Sequence, residues 1–147
     1  MYDSGMATYR TLLRRYLKKH KRLVQPRQGW GSLHSSLHLA YSMAIQRGFT
    51  DLGTYVNKPG DHGWDDERRM ALAFDIGRKD RFKFKGWQYL KAQALFWLYV
   101  KNHKALNIEY VILGMKIWSR NNGLRLYGGD RSHMFHIHVS GSHGRDV

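Results

Sequence analysis

The chain of 147 residues contains no cysteine and only two prolines. Without cysteine there are no disulfide bonds and no thiolate metal sites, so a metal site would have to use histidine, aspartate or glutamate. No apolar run approaches the roughly 18 residues that a membrane-spanning helix needs, and the N-terminus lacks the apolar segment of a signal peptide. We therefore expect no membrane span and no signal peptide, so that release would need another route, such as cell lysis.

Acidic residues are also scarce. The chain has 11 Asp and Glu against 25 Lys and Arg, which gives a formal charge of +14. A balance this basic favours an anionic partner, namely nucleic acid, anionic lipid or an anionic cell-wall polymer, and does not choose among them. Hydrophobic residues make up 42% of the chain, which is typical of a globular protein, and the length predicts one domain over 1–147.

The first 50 residues are predicted to form a basic helical part. Apolar residues recur at helical spacing within 1–24, and a second helix is predicted from Leu33 to Arg47, ending before Gly48. The outer face of the first helix is either a solvated surface or a polyanion-binding patch. The residues of that patch are Arg14, Arg15, Lys18, Lys19 and Arg22.

A strand is predicted over Phe135–Ser140 near the C-terminal end. Side chains alternate along a strand, so His136 and His138 share one face while Ile137 and Val139 share the other. His133 lies just upstream. Neutral imidazole is a common zinc ligand, so two histidines that point together into a cleft would suit a metal site.

Carboxylates occur at two other notable places. Asp75 interrupts an apolar run, and burying it requires a partner, which is an arginine, a helix cap or a metal. The irregular stretch 50–69 contains His62 among the acidic residues Asp61, Asp65, Asp66 and Glu67. That loop is either part of a site or a set of salt bridges to the basic surface.

The remaining segments predict one buried helix, Gln88–His103, and strands at Ile108–Leu113, Met115–Ser119 and near Leu126. The loop Lys79–Lys85 interleaves basic residues with Phe82 and Phe84, a weak pattern for single-stranded nucleic acid.

Three pieces, in this order, resemble the zinc D-alanyl-D-alanine and L-alanyl-D-glutamate peptidases and the phage lysins of the same hedgehog-like superfamily. They are Gly60-Asp61-His62 leading to Ala71–Ile76, Tyr110–Ile112 with Ile117–Ser119, and His133–Ser140. The resemblance implies a peptidase-like core over 51–147. It implies an α+β fold, in which a small and mainly antiparallel sheet carries helices on one face.

The resemblance also implies a zinc site of His62, Asp75 and His138. In the family a histidine stands seven residues before the aspartate, where this chain has Arg68, so His62 serves only if Gly63–Met70 is an insertion. Phe135 occupies the family's general-base position, so a loop carboxylate such as Asp130 or Glu67, or else Asp65 or Asp66, would take the proton. His136 or His133 would donate to the oxyanion. Trp118 and Tyr127 would either line the substrate groove or pack as core or rim aromatics.

The expected function is that of a zinc-dependent hydrolase that cleaves peptidoglycan stem peptides, as a phage endolysin does. Its partner would be the bacterial cell-wall peptide, and it would stay in the cytoplasm of an infected bacterial host until release. The alternatives are a nucleic-acid-binding protein or a metal-dependent nuclease on a degenerate peptidase fold. The sequence does not determine the oligomeric state.

Overall fold

The structure, a computed structural model, describes residues 7–24, 26, 32–56, 58–129, 133 and 135–142. Within them the chain forms three α-helices and eight β-strands. The helices are α1 (Tyr9–His20), α2 (His38–Gln46) and α3 (Trp87–Lys101). The strands are β1 (Ser32–Leu33), β2 (Thr50–Gly53), β3 (Met70–Ala71), β4 (Ala73–Gly77), β5 (Ile108–Leu113), β6 (Lys116–Ser119), β7 (Gly123–Leu126) and β8 (His136–Gly141).

Six of these strands form one sheet in the order β2-β4-β8-β5-β6-β7, and each pairing in it is antiparallel. Strands β1 and β3 form a separate parallel pair. Strand β8 follows the other described strands in the chain yet lies in the middle of the sheet, between β4 and β5. The predicted α+β class with a mainly antiparallel sheet is confirmed.

One face of the sheet is covered by helices. Phe74 and Val139, which face each other across β4 and β8, are both fully buried. The Phe74 ring contacts Tyr41 of α2 and Tyr99 of α3, at 5.5 and 6.4 Å between ring centroids. Because side chains alternate along a strand, the intervening Asp75 points to the opposite face of the sheet, together with the even-numbered residues of β8. The helices therefore build the core on one face and leave the histidines on the other.

Helix α1 has the two faces that its sequence predicts. Tyr16 is buried, and Leu12, Leu13 and Leu17 pack against the core. The Thr8 side chain caps the helix by accepting a hydrogen bond from the backbone N–H of Thr11 at 3.1 Å. The predicted patch residues are all exposed on the outer side: Arg14, Arg15, Lys18, Lys19 and Arg22.

Helix α2 begins at His38, so the prediction that it begins at Leu33 is wrong. Leu33 instead pairs with Ala71 in the parallel strands, and a short 3-10 turn, Ser35–Leu37, precedes the helix. The His38 ring donates from Nε2 to the Leu33 carbonyl at 2.7 Å. Local backbone pairing thus overrides a helical apolar pattern here.

The prediction that α3 is a buried helix is only half right. Ala92, Leu95, Phe96 and Tyr99 are buried, but Leu90 and Trp97 are 67% and 45% exposed. Within the described part of the chain, no helix has both the length and the apolar character that a bilayer span requires.

Candidate metal centre

Three side chains from three separate segments converge on the helix-free face of the sheet. His62 Nε2 lies 3.3 Å from an Asp75 carboxylate oxygen and 3.3 Å from His138 Nδ1. The Asp75 carboxylate is 2.9 Å from His138 Nδ1. Ligand atoms bound at about 2.0–2.2 Å around a tetrahedral ion lie about 3.3 Å apart. The His62 and His138 nitrogens have this spacing, whereas their contacts to Asp75 use different carboxylate oxygens. One ligand atom from each of the three residues lies within 4.8 Å of the others, so the group could hold a metal ion.

The sheet register places two of the three donors. Asp75 on β4 and His138 on β8 face each other directly across neighbouring antiparallel strands. Cross-strand partners have Cβ atoms about 4.5–5.5 Å apart, so both side chains reach one point above the sheet.

His62 comes from the 3-10 turn Asp61–Gly63, which is attached to the sheet through the backbone. The Leu72 N–H donates to the Asp61 carbonyl at 2.7 Å, and the Val56 N–H donates to the His62 carbonyl at 2.9 Å. The segment that follows folds back on itself, because Asp65 and Met70 form an antiparallel bridge. This turn accommodates the twelve residues that lie between His62 and Asp75.

The hydrogen-bond partners of His62 assign its tautomer. Nδ1 lies 2.6 Å from the Thr54 carbonyl oxygen, which can only accept, so Nδ1 carries the proton. Nε2 is therefore the nitrogen that faces Asp75 and His138, and in its deprotonated form its lone pair is available to a metal.

The tautomer of His138 follows from a chain of hydrogen bonds. The Ser140 hydroxyl donates to Asp61 Oδ2 at 2.7 Å, so its oxygen accepts from His138 Nε2 at 2.8 Å. Nδ1 of His138 is then the nitrogen that faces Asp75, at 2.9 Å, and it would bind a metal in its deprotonated form. A hydrogen bond from the other ring nitrogen fixes the orientation of a metal-binding histidine and raises the basicity of the nitrogen that binds the metal.

Tyr110 also contacts both Asp61 and His138. Its hydroxyl donates to the same Asp61 oxygen at 3.0 Å, and its ring stacks on His138 at 5.5 Å between centroids. Burial and the neighbouring Asp61 raise the pKa of Tyr110 to about 12, so the hydroxyl remains a donor. Sequence reasoning gave no such role to Asp61, Ser140 or Tyr110. The adjacency of Asp61 to His62 was its one signal, since no spacing rule links a loop aspartate to a strand hydroxyl 79 residues away.

The ionisation of the cluster follows from burial and charge. Burial alone would raise the pKa of Asp75, but hydrogen bonds from His138 and His62 hold that pKa well below its usual range. Burial alone would lower the pKa of His62, and the hydrogen bond and charge of Asp75 raise it instead. Without a metal, His62 Nε2 and His138 Nδ1 thus face the Asp75 carboxylate as hydrogen-bond donors. A metal ion between them would replace these protons and bind one nitrogen of each ring and one carboxylate oxygen.

Two further histidines border the three donors. His136 Nε2 lies 3.5 Å from Asp75, and burial lowers the pKa of His136. His133 is buried, with its ring 4.9 Å from that of His136 and 5.7 Å from that of His138. The Tyr127 ring contacts His133 at 5.1 Å. The residues predicted to assist the metal ligands therefore do lie beside them.

Other predicted site residues lie elsewhere. Glu67 is exposed on the turn between Asp65 and Met70, and Asp65 pairs with Arg68 at 2.7 Å. Among the described residues, no hydrogen bond or ion pair joins Glu67 to the three donors, and its role as a base stays a prediction. Asp130 lies outside the described residues.

Of the two positions expected for Trp118, the structure shows the one against the core and not the one in the groove. It pairs with Val111 and faces the helices, where its ring contacts His103 at 4.5 Å.

Comparison of the chain with protein-family models, with curated proteins and with solved structures gives no match.

Proposed function

We propose that the chain is a zinc-dependent hydrolase that cleaves the stem peptides of peptidoglycan. The observation that carries the proposal is the convergence of two imidazole nitrogens and one carboxylate, with one ligand atom from each residue within 4.8 Å of the others. Nitrogen and oxygen donors in that arrangement suit zinc, and three protein ligands leave a fourth position for substrate or water. The family-like order of the three sequence pieces points to a peptide substrate, and a charge of +14 is compatible with an anionic wall.

Bound zinc would supply a Lewis acid that polarises a carbonyl and lowers the pKa of water toward about 7. The chain's own residues supply orientation and proton transfer. Asp61 and Ser140 hold the His138 ring in place, and the Thr54 carbonyl does the same for His62. His136 Nε2, 3.5 Å from Asp75, is placed to accept or donate a proton at a reacting oxygen beside the site.

The direct test combines metal content with hydrolysis of purified peptidoglycan. We expect about one zinc per chain by mass spectrometry of the metal, activity that a chelator removes, and recovery when zinc is added back. His138→Ala should lose both zinc and activity. His20→Ala on α1, a histidine in the helical layer, is the matched control and should keep both. Full zinc content in His138→Ala would overturn the assignment.

A second variant separates proton transfer from metal binding. His136→Ala should retain zinc and slow hydrolysis by about 10²–10⁴, the usual contribution of a positioned acid or base. Loss of zinc in this variant would make His136 a ligand instead.

The second candidate is a metal-dependent nuclease or a nucleic-acid-binding protein, and the exposed basic face of α1 is the observation that favours it. The same zinc-loaded preparation should be offered DNA, RNA and wall fragments. Nucleic-acid cleavage that His138→Ala abolishes, without wall hydrolysis, would assign phosphodiester chemistry to the site. Binding without cleavage of any substrate would leave a binding protein.

A further inference from the structure

The side of α3 that faces away from the core is apolar. Its inner side packs Ala92, Leu95, Phe96 and Tyr99 against the sheet, and a surface helix normally carries polar residues opposite such a face. Here the opposite side presents an exposed row at intervals of three, four and three residues, over about 15 Å of helix. We call this row the outer face of α3: Trp87, Leu90, Ala94 and Trp97.

The exposure of this row is large. Trp87 is 73% exposed, Leu90 67% and Trp97 45%. Phe82, in the loop just before the helix, is 64% exposed. A row of large apolar side chains with this much exposed surface indicates an interaction site, because soluble proteins rarely expose such contiguous apolar patches without a function.

The apolar surface continues toward the edge of the sheet. Lys116 on β6 places its ammonium 5.7 Å from the Trp97 ring, and its cross-strand partner on β7 is Leu126, which is 79% exposed. Leu126 and Lys116 share a face of the sheet as direct partners. The exposed apolar surface of α3 thus continues onto the edge strand β7 through Leu126.

The charges around the outer face are nearly all positive. Residues 81–129 contain nine Lys or Arg and one acid, Glu109. Within α3 itself there is no acidic residue. The basic residues that are exposed in and around the helix include Lys83, Lys85, Lys91 and Lys101.

We propose that the outer face of α3 binds the surface of an anionic lipid bilayer. Trp and Leu on one face, flanked by Lys, form the pattern of a helix that lies in a membrane interface, with indole rings at the headgroups and aliphatic side chains among the acyl chains. The ammonium groups would neutralise anionic headgroups. A second copy would bring like charges together, and a nucleic acid would gain nothing from the exposed Leu90 and Ala94 at the centre of the row.

The orientation of the sheet keeps the metal centre accessible in such a complex. Helix α3 lies on the face that also buries Phe74, whereas Asp75 and His138 point to the opposite face. A bilayer against α3 would therefore leave the metal centre open to solution. The proposal stands independently of the chemistry at that centre.

The test is sedimentation of the full chain with vesicles of phosphatidylcholine alone or mixed with phosphatidylglycerol. We expect binding to the anionic vesicles, a blue shift of tryptophan fluorescence, and weaker binding at higher salt. The variant Trp87→Gln/Leu90→Gln/Trp97→Gln should bind anionic vesicles at least about tenfold more weakly, because burial of a single large apolar side chain is worth about that factor.

The matched control is Tyr9→Gln/Val56→Gln, which removes two exposed apolar side chains away from α3, each 41% exposed. It should bind like the wild type. All of the substituted side chains are exposed, and thermal unfolding of both variants checks that they fold. No binding to anionic vesicles, or equal binding by the triple variant, overturns the proposal. The proposal is also overturned if the triple variant keeps its vesicle binding but alone loses dimer formation or binding to oligo(dT).

Discussion

At the scale of single residues, Ser140 shows how a side chain that does not bind metal can determine a metal site. Its hydroxyl accepts from His138 and donates to Asp61. In Ser140→Ala the His138 ring would lose this hydrogen bond. Loss of a hydrogen bond that orients a metal-binding ring typically lowers metal affinity about 10–100-fold. Competition with a chromogenic chelator measures this.

The control for that variant is Ser119→Ala, a nearly buried serine on β6 whose oxygen accepts from the backbone N–H of Asn122. Its zinc affinity should equal that of the wild type. Equal affinity in Ser140→Ala as well would show that Ser140 does not orient the ring.

His62 carries a pH-dependence that can be measured without metal. Asp75 raises the pKa of His62 against the effect of burial. A raised folded pKa gives stability that is fully present below the unfolded value of about 6.5 and is lost as pH rises through the folded pKa. We therefore expect the zinc-free wild type to lose stability relative to His62→Ala as pH rises above about 6.5 and through the raised pKa of His62.

Urea unfolding of both proteins at each pH measures the difference. With saturating zinc, the wild type should instead gain stability relative to His62→Ala as pH rises, because the metal competes with the proton for Nε2. A difference that does not change with pH would mean that His62 and Asp75 do not interact in the zinc-free protein.

At the scale of elements, α1 tests whether the basic charge is used. The variant Arg14→Glu/Arg15→Glu/Lys18→Glu/Lys19→Glu reverses four exposed charges on one helix face. If α1 contacts polyanions, DNA affinity should fall and its salt dependence should flatten, since fewer counterions are released per complex. Fluorescence anisotropy at several salt concentrations reports both. An unchanged affinity and salt slope would mean that the basic face of α1 is only a solvated surface.

The contact between α2 and α3 includes one buried polar link. The Tyr99 hydroxyl is fully buried and donates to the Ala40 carbonyl at 2.6 Å. Tyr99→Phe should lower the free energy of unfolding by about 1 kcal/mol, the net value of one such hydrogen bond. Denaturant unfolding measures this, and Tyr89→Phe, on the more exposed side of the same helix, is the control.

Local patterns predicted the elements that depend on neighbours in sequence. The alternation in β8 placed two histidines on one face and Ile137 and Val139 in the core, because strand periodicity is intrinsic to the backbone. Leu33 was misassigned to a helix, since its parallel partner Ala71 lies 38 residues further along the chain. The apolar composition of α3 predicted burial on all sides, and composition cannot show which face the sheet covers. The hydrogen bonds that orient His138 could not be predicted for the same reason, because Ser140 contacts Asp61 only in the folded protein.

At the scale of the whole molecule, the core and the metal centre lie on opposite faces of the sheet. We therefore expect the zinc-free chain to fold, with zinc adding stability by binding only the native state. Free zinc at 100 times Kd should add about 2.7 kcal/mol, or roughly 5–10 °C in Tm. Calorimetry measures the shift, and His138→Ala should show none. Unfolding on chelation would contradict this division and make the metal a structural element.

The central position of β8 has a consequence for synthesis on the ribosome. Strands β2 and β4 can pair early, and so can β5, β6 and β7, but the two groups meet only through β8. Until residue 141 has emerged from the exit tunnel, the nascent chain therefore presents two unpaired strand edges, on β4 and β5. Such edges are templates for pairing with other chains. Translation that pauses or stops before β8 would release a species prone to intermolecular pairing, and chaperone binding to stalled chains should end when this one strand becomes available.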